Sequence, residues 1–173
     1  MKKRTYGDGT VKAEGRRFVA ILPRDLSRAP VRCRKPADYR ERIGTFGNRE
    51  LAEERLSEVA AQRRRALGAA NVCLDEARRL LSTYAGGSFV YFIHNGSHHL
   101  KIGTTKSPKT RLRHLQMGNP ETLHLALVLP GDPAVESMLH RAFAPERVAG
   151  EWFYESRRLT NFVLEVAHAR RAA

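Results

Sequence analysis

The sequence predicts an α+β protein: an N-terminal three-stranded sheet with a helix, a connecting amphipathic helix, and a C-terminal three-stranded antiparallel sheet flanked by helices. Three observations predict it. Short β-prone runs bounded by Gly, Asn and Pro recur in both halves of the chain. Two intervening stretches carry apolar residues at helical spacing. Gly86-Gly87 punctuates the chain before the second β-rich region. The expected division is a basic module at 1–65, a connecting helix at 66–87 and a C-terminal domain at 88–173.

In the first module, 9–13 (GTVKA) and 16–22 (RRFVAIL) read as two strands joined by a Glu14-Gly15 turn. The Pro- and Arg-rich stretch from Pro23 to Pro36 reads as a long exposed loop, and 42–46 (RIGTF) as a third strand. Asn48 is a natural helix N-cap, with Glu50 in the first turn to complement the dipole. Ala52, Leu56, Val59 and Ala60 then fall on one helical face, and the helix is expected to end near Arg63-Arg64-Arg65. Beyond Gly68, the residues Cys73, Ala77, Leu80, Leu81 and Tyr84 mark a second amphipathic helix over 69–84.

The C-terminal region opens with the β-prone run 88–93 (SFVYFI), a hairpin signal at 94–97 (HNGS) and a return strand at 99–104 (HLKIGT). Ser107-Pro108 starts a helix that Gly118-Asn119-Pro120 stops. A strand is expected at 123–129, and a helix capped by Asp132-Pro133 through Phe143. Glu151-Trp152-Phe153 then leads into a last helix at 156–169. Trp152 and Phe153 are expected to fill the core, and His94, His98 and His99 to lie on the surface.

Charge is the informative bulk property. The chain carries 31 Lys+Arg against 18 Asp+Glu, a formal net charge of +13. Most of the excess lies in 1–65, which holds 18 basic and 9 acidic residues. Such an imbalance calls for a polyanionic partner, because each neutralised phosphate releases counterions. Double-stranded DNA is the expected partner, since no basic helix has the bulky apolar face that a membrane surface would need. The expected contacts are Lys12, Arg16, Arg17, Arg24, Arg32, Arg34, Lys35, Arg42 and Arg113. No run of eighteen apolar residues exists, and the basic opening MKKRTYGDGTVK has no apolar stretch behind it, so a cytoplasmic protein is expected. Cys33 and Cys73 lie far apart without C-x-x-C spacing, which offers neither a disulfide framework nor a zinc site.

Two resemblances sharpen these readings. Gly9-Thr10-Val11, Gly15, Phe18, Ala20 and Thr45-Phe46, followed by the helix at 48–65, resemble the arm-type DNA-binding domain of tyrosine recombinases. The second resemblance is closer. Val90-Tyr91-Phe92, Lys101-Ile102-Gly103, Thr105, Arg111-Leu112, Glu136, Leu139-His140, Phe143 and Glu151-Trp152-Phe153 resemble, in order, the GIY-YIG nuclease layout in its phage and bacterial branch.

That resemblance implies metal-dependent hydrolysis of a phosphodiester in DNA. Glu136 would be the lone carboxylate ligand of Mg²⁺ or Mn²⁺, whose shell water and phosphate oxygens complete. Arg111 would hold the scissile phosphate, since a guanidinium does not lose its proton. Tyr91 would orient or deprotonate the attacking water, with nearby cations assisting. Lys101 stands where the family's second tyrosine usually sits and would position or activate water. His140, one helical turn after Glu136, would bind phosphate or donate a proton to the leaving oxygen. Two further positions depart from the pattern: the leading Gly of the first motif is Phe89, and the late asparagine has no counterpart near 148–154.

Three function classes follow. The leading one is a metal-dependent endonuclease tethered to DNA by its N-terminal module. The alternative is a nucleic-acid-binding protein that keeps the nuclease scaffold without catalysis. The third is a basic accessory subunit acting through a protein partner. The nuclease reading requires Tyr91, Lys101, Arg111 and Glu136 to gather around one phosphate on the same surface of the sheet and its helices.

Overall fold

The computed structural model describes residues 9–23 and 40–172. Strands β1 (Thr10–Glu14), β2 (Arg17–Pro23) and β3 (Arg40–Phe46) form an antiparallel sheet in that order. Gly15, at φ +62°, makes the tight turn between the first two. Helix α1 (Arg49–Thr83) starts at Asn48, whose side chain accepts a bond from the Leu51 amide at 2.8 Å. Ala52, Leu56 and Ala60 of α1 bury against Val11, Ala20 and Leu22 to make a small first core. Because side chains alternate along a strand, Lys12 and Arg17 stand on the face of this sheet away from α1.

The two helices expected at 48–65 and 69–84 are one. Helix α1 runs unbroken for 35 residues through the arginine triplet and Gly68, about 52 Å at 1.5 Å per residue. A mid-helix glycine costs only about 1 kcal/mol relative to alanine. Here it sits in Ala66-Leu67-Gly68-Ala69-Ala70, a run of otherwise strong helix formers. Both ends of α1 are also pinned by packing, the N-terminal half on the first core and Leu74 and Ala77 on a second. Arg63 does not cap a helix end; its guanidinium pairs with Glu41 of β3 at 2.6 Å.

The C-terminal region is built on strands β4 (Phe89–His94), β5 (His99–Thr105), β6 (His124–Pro130), β7 (Arg147–Ala149) and β8 (Trp152–Tyr154). They form one sheet in the order β6-β4-β5-β8-β7. The expected sheet had three strands; it has five. The two extra strands are three residues each, too short to carry an alternating pattern, and turn at Gly150 with φ +53°. Trp152 and Phe153 thus lie on a strand rather than on the approach to a helix.

Helices α2 (Pro108–Met117), α3 (Pro133–Ala142) and α4 (Arg157–Ala172) complete the region. One face of the sheet packs Val90, Phe92, Ile102 and Phe153 against Val135 and Leu139 of α3, Phe162 of α4 and the second half of α1. The other face packs Tyr91 and Ile93 against Leu112 and Leu115 of α2. Asp132 caps α3, accepting from the Ala134 and Val135 amides at 2.9 and 3.0 Å. Behind α3, the buried Glu146 carboxylate lies 3.3 Å from the Arg158 guanidinium and accepts from Ser156 at 3.3 Å. No described helix is long and apolar enough to cross a membrane.

Candidate functional site

Strands β4 and β5 pair so that Tyr91 faces Gly103 and Ile93 faces Lys101. These four residues share the face covered by α2. Glycine at 103 is a packing requirement. A Cβ there would meet the Tyr91 ring Cζ at 2.6 Å, so the phenol lies directly across the strand. Tyr91 is buried, and its hydroxyl accepts a bond from Arg111 Nε at 3.2 Å. Arg111 is in position because Thr105 Oγ1 accepts the Ser107 amide at 3.1 Å, turning the chain from β5 into α2. Among the described residues, no hydrogen bond engages the two terminal nitrogens of Arg111. The tyrosine therefore fixes the guanidinium by one nitrogen and leaves its fork available.

Glu136 arrives from the opposite side. Its helix, α3, packs on the face away from Tyr91, so the two do not project from one surface of the sheet, contrary to the shared surface that the nuclease reading requires. They approach at a rim. Strand β8 pairs with β5 only as far as Lys101, and the last backbone bond runs from the Ile102 amide to the Glu151 carbonyl at 3.1 Å. The remainder of β5, from Gly103 to Thr105, has no neighbour on that side among the described strands. There the Thr104 hydroxyl donates to Glu136 at 2.5 Å, with His140 Nε2 3.7 Å from the same carboxylate and 3.1 Å from the Ile102 carbonyl.

Lys101 is buried along its stem, and its ammonium pairs with Glu151 at 2.5 Å and lies 5.6 Å from the Trp152 ring centre. Electrostatics tie these groups together. The Arg111 pKa is raised first by its bond to Tyr91, and further by the charges of Glu151 and Glu136. The Glu151 carboxyl is held below its ordinary range by the Lys101 bond, with His140 and Arg111 contributing. Tyr91, Lys101, Arg111, Glu136, His140 and Glu151 thus form one rim cluster, whereas the sequence analysis gave Glu151 no role. Its signal was available in the Glu151-Trp152-Phe153 run, but β8 was not expected to pair with β5.

Residues 88–169 match the family model of the T5orf172 domain. That domain is often associated with GIY-YIG nuclease-containing proteins, and the likeness is confined to this C-terminal region. No curated protein and no solved structure gives a significant match.

Within the matched region, Arg113 stands exposed on α2 away from the rim, with a 3.4 Å bond to Thr110. In the N-terminal module Lys12, Arg16, Arg17 and Arg42 are exposed, and Arg42 is engaged by Glu14 at 3.3 Å and Thr45 at 2.8 Å. Arg24, Arg32, Arg34, Lys35 and Cys33 lie outside the described residues. Among those described, no group of three or more His, Cys, Asp or Glu side chains is arranged to hold a metal ion. The rim offers Glu136, one partly buried carboxylate beside a hydroxyl. That donor set fits a Mg²⁺-type ion only in the mode where substrate oxygens and water supply most of the shell. A groove of about 1090 Å³ between α1 and residues 144–148 is lined by Arg63, Cys73 and Arg147, and none of the rim cluster lines it.

Proposed function

We propose that this chain is a nucleic-acid-binding protein whose C-terminal region grips a phosphodiester at the exposed rim of β5, while the basic N-terminal module adds affinity for the rest of the duplex. The observation that carries the reading is the Arg111 guanidinium, held by Tyr91 through one nitrogen, with its terminal nitrogens unengaged among the described residues. A planar fork presented in that way suits two oxygens of one phosphate. Lys101 supplies a second cation on the same rim. A chain of net charge +13 supplies long-range attraction for a polyanion. The T5orf172 match is consistent with a nucleic-acid-associated scaffold.

A DNA titration of wild type and Arg111→Ala tests this. The substitution is expected to weaken binding by roughly tenfold and to lower the salt dependence by about one phosphate contact. Equal affinity and equal salt dependence would refute a phosphate grip at Arg111.

A second reading, metal-assisted hydrolysis of that phosphodiester, is favoured by Glu136, whose carboxylate reaches the rim from α3. Glu136 and Thr104 would hold Mg²⁺ or Mn²⁺, which when bound lowers the pKa of water and neutralises phosphate charge. Arg111, held by Tyr91, would stabilise the charge that grows on the phosphate, and His140, 3.7 Å from Glu136, would be the group to protonate a leaving oxygen. Incubating DNA with the protein and either metal separates the two readings. Strand cleavage that disappears in Glu136→Gln supports hydrolysis; tight binding with no nick leaves the binding reading alone.

A further inference from the structure

Neither reading above uses Glu151, yet its carboxylate is bonded to one of the cluster's cations. It pairs with the Lys101 ammonium at 2.5 Å and lies within electrostatic reach of Arg111 and His140. Lys101 and Arg111 are the groups that the binding reading assigns to phosphate. A carboxylate bonded to the Lys101 ammonium takes one of its donors and opposes, by like charge, a phosphate oxygen that approaches the same cation.

Resting on that reading, we propose that Glu151 is a built-in phosphate mimic. Its carboxylate holds the place of a phosphate oxygen beside Lys101 until a nucleic-acid backbone displaces it.

The two members of the ion pair differ in how firmly they are held. The Lys101 side chain is 10% exposed and stands against Trp152, whereas the Glu151 side chain is 43% exposed. Glu151 also follows Gly150 in the turn between β7 and β8, and β7 is exposed along its whole length. Rotation of the Glu151 side chain into water therefore breaks one half-exposed ion pair and disturbs no core. Lys101 stays where it is and becomes available to phosphate. The exchange has a selective consequence. An anion making one contact gains too little to displace the carboxylate, while a backbone that also engages Arg111 and the N-terminal module does so readily.

Trp152, the chain's single tryptophan, is the local reporter, because the Lys101 ammonium lies 5.6 Å from its ring centre. The experiment titrates the full chain with a short DNA duplex in EDTA, following Trp152 emission over a series of salt concentrations. Wild type is compared with Glu151→Gln, Glu151→Asp and Lys101→Met/Glu151→Gln, each with its melting curve recorded. Glu151→Gln is expected to bind on the order of tenfold more tightly, with a salt dependence steeper by about one phosphate contact. Glu151→Asp, which keeps the charge but draws it back from Lys101, should give a smaller gain. The double variant should give none. Unchanged or weaker binding in Glu151→Gln, while wild type responds to DNA, overturns the inference and leaves the phosphate grip standing. No Trp152 response to DNA in either protein overturns both.

Discussion

Gly103→Ala tests the geometry of the rim through the sign of its effect. The added methyl would sit 2.6 Å from the Tyr91 ring Cζ, so the ring must retreat by about 0.8 Å to reach the 3.4 Å of ordinary contact. Tyr91 is 1% exposed, packed beside Ile93 and Leu123 with α2 above it, and has no free space to retreat into. Overpacking of this kind costs about 1–3 kcal/mol. Part of the Tyr91–Arg111 bond goes with it, and bonds to charged groups contribute about 1.5–3 kcal/mol. Against this stands the usual gain of about 0.5–1 kcal/mol when alanine replaces glycine inside a strand. The net expectation is a loss of about 2 kcal/mol, or a melting temperature lower by roughly 4–8 °C for a chain of this size. Thermal unfolding followed by circular dichroism reads the stability, and a DNA titration reads the displaced guanidinium. Adding Tyr91→Phe removes the hydroxyl that crowds the methyl, so the double variant should lose less than the sum of the singles. A stabilised Gly103→Ala protein with unchanged DNA affinity would refute the placement of Tyr91 across Gly103.

Two further outcomes are expected. Arg158→Met removes the guanidinium 3.3 Å from the buried Glu146 carboxylate and should destabilise the chain in thermal unfolding by about 1.5–3 kcal/mol, the range for a bond to a charged group; an unchanged melting curve would contradict the buried pair. Glu151 has a folded-state pKa below its ordinary value, so its contribution is present above the ordinary carboxylate range and is lost as pH falls through the lowered value. The side chain is 43% exposed, which limits that contribution to about 1 kcal/mol or less. Wild type should therefore melt above Glu151→Gln at neutral pH, with the difference closing as pH falls through the lowered value. A difference that grows on acidification would contradict the pair.

What could be read from the sequence followed what is local. The Asn48 and Asp132 caps, the Gly96 turn and the Pro108 start of α2 each depend on one or two neighbouring residues, and each is present where the residue types place it. Strands β1 to β6 were marked by β-prone runs of five to seven residues. Strands β7 and β8 were not, because three residues carry no period and their pairing depends on β5, about fifty residues earlier. Gly68 misled for a related reason. Local propensity marks it as a break, but the two cores that clamp α1 on either side are set by tertiary contacts. At the site, the resemblance to the GIY-YIG layout implied Tyr91, Lys101, Arg111, Glu136 and His140. It did not reveal that Glu136 comes from the opposite face, or that Glu151 sits among the cations. The first follows from the face on which α3 packs, the second from β8 pairing with β5 beside Lys101.

The account rests on a phosphate being gripped where α2, α3 and the free end of β5 meet. The most direct measurement is a two-dimensional NMR titration of the full chain with a short DNA duplex, following the Arg111 Nε–Hε and Trp152 indole resonances. The account predicts that both shift together, at the same DNA concentration, and that the Arg111 response is lost in Tyr91→Phe. Shifts confined to residues 9–46, with Arg111 and Trp152 unmoved at saturation, would contradict it.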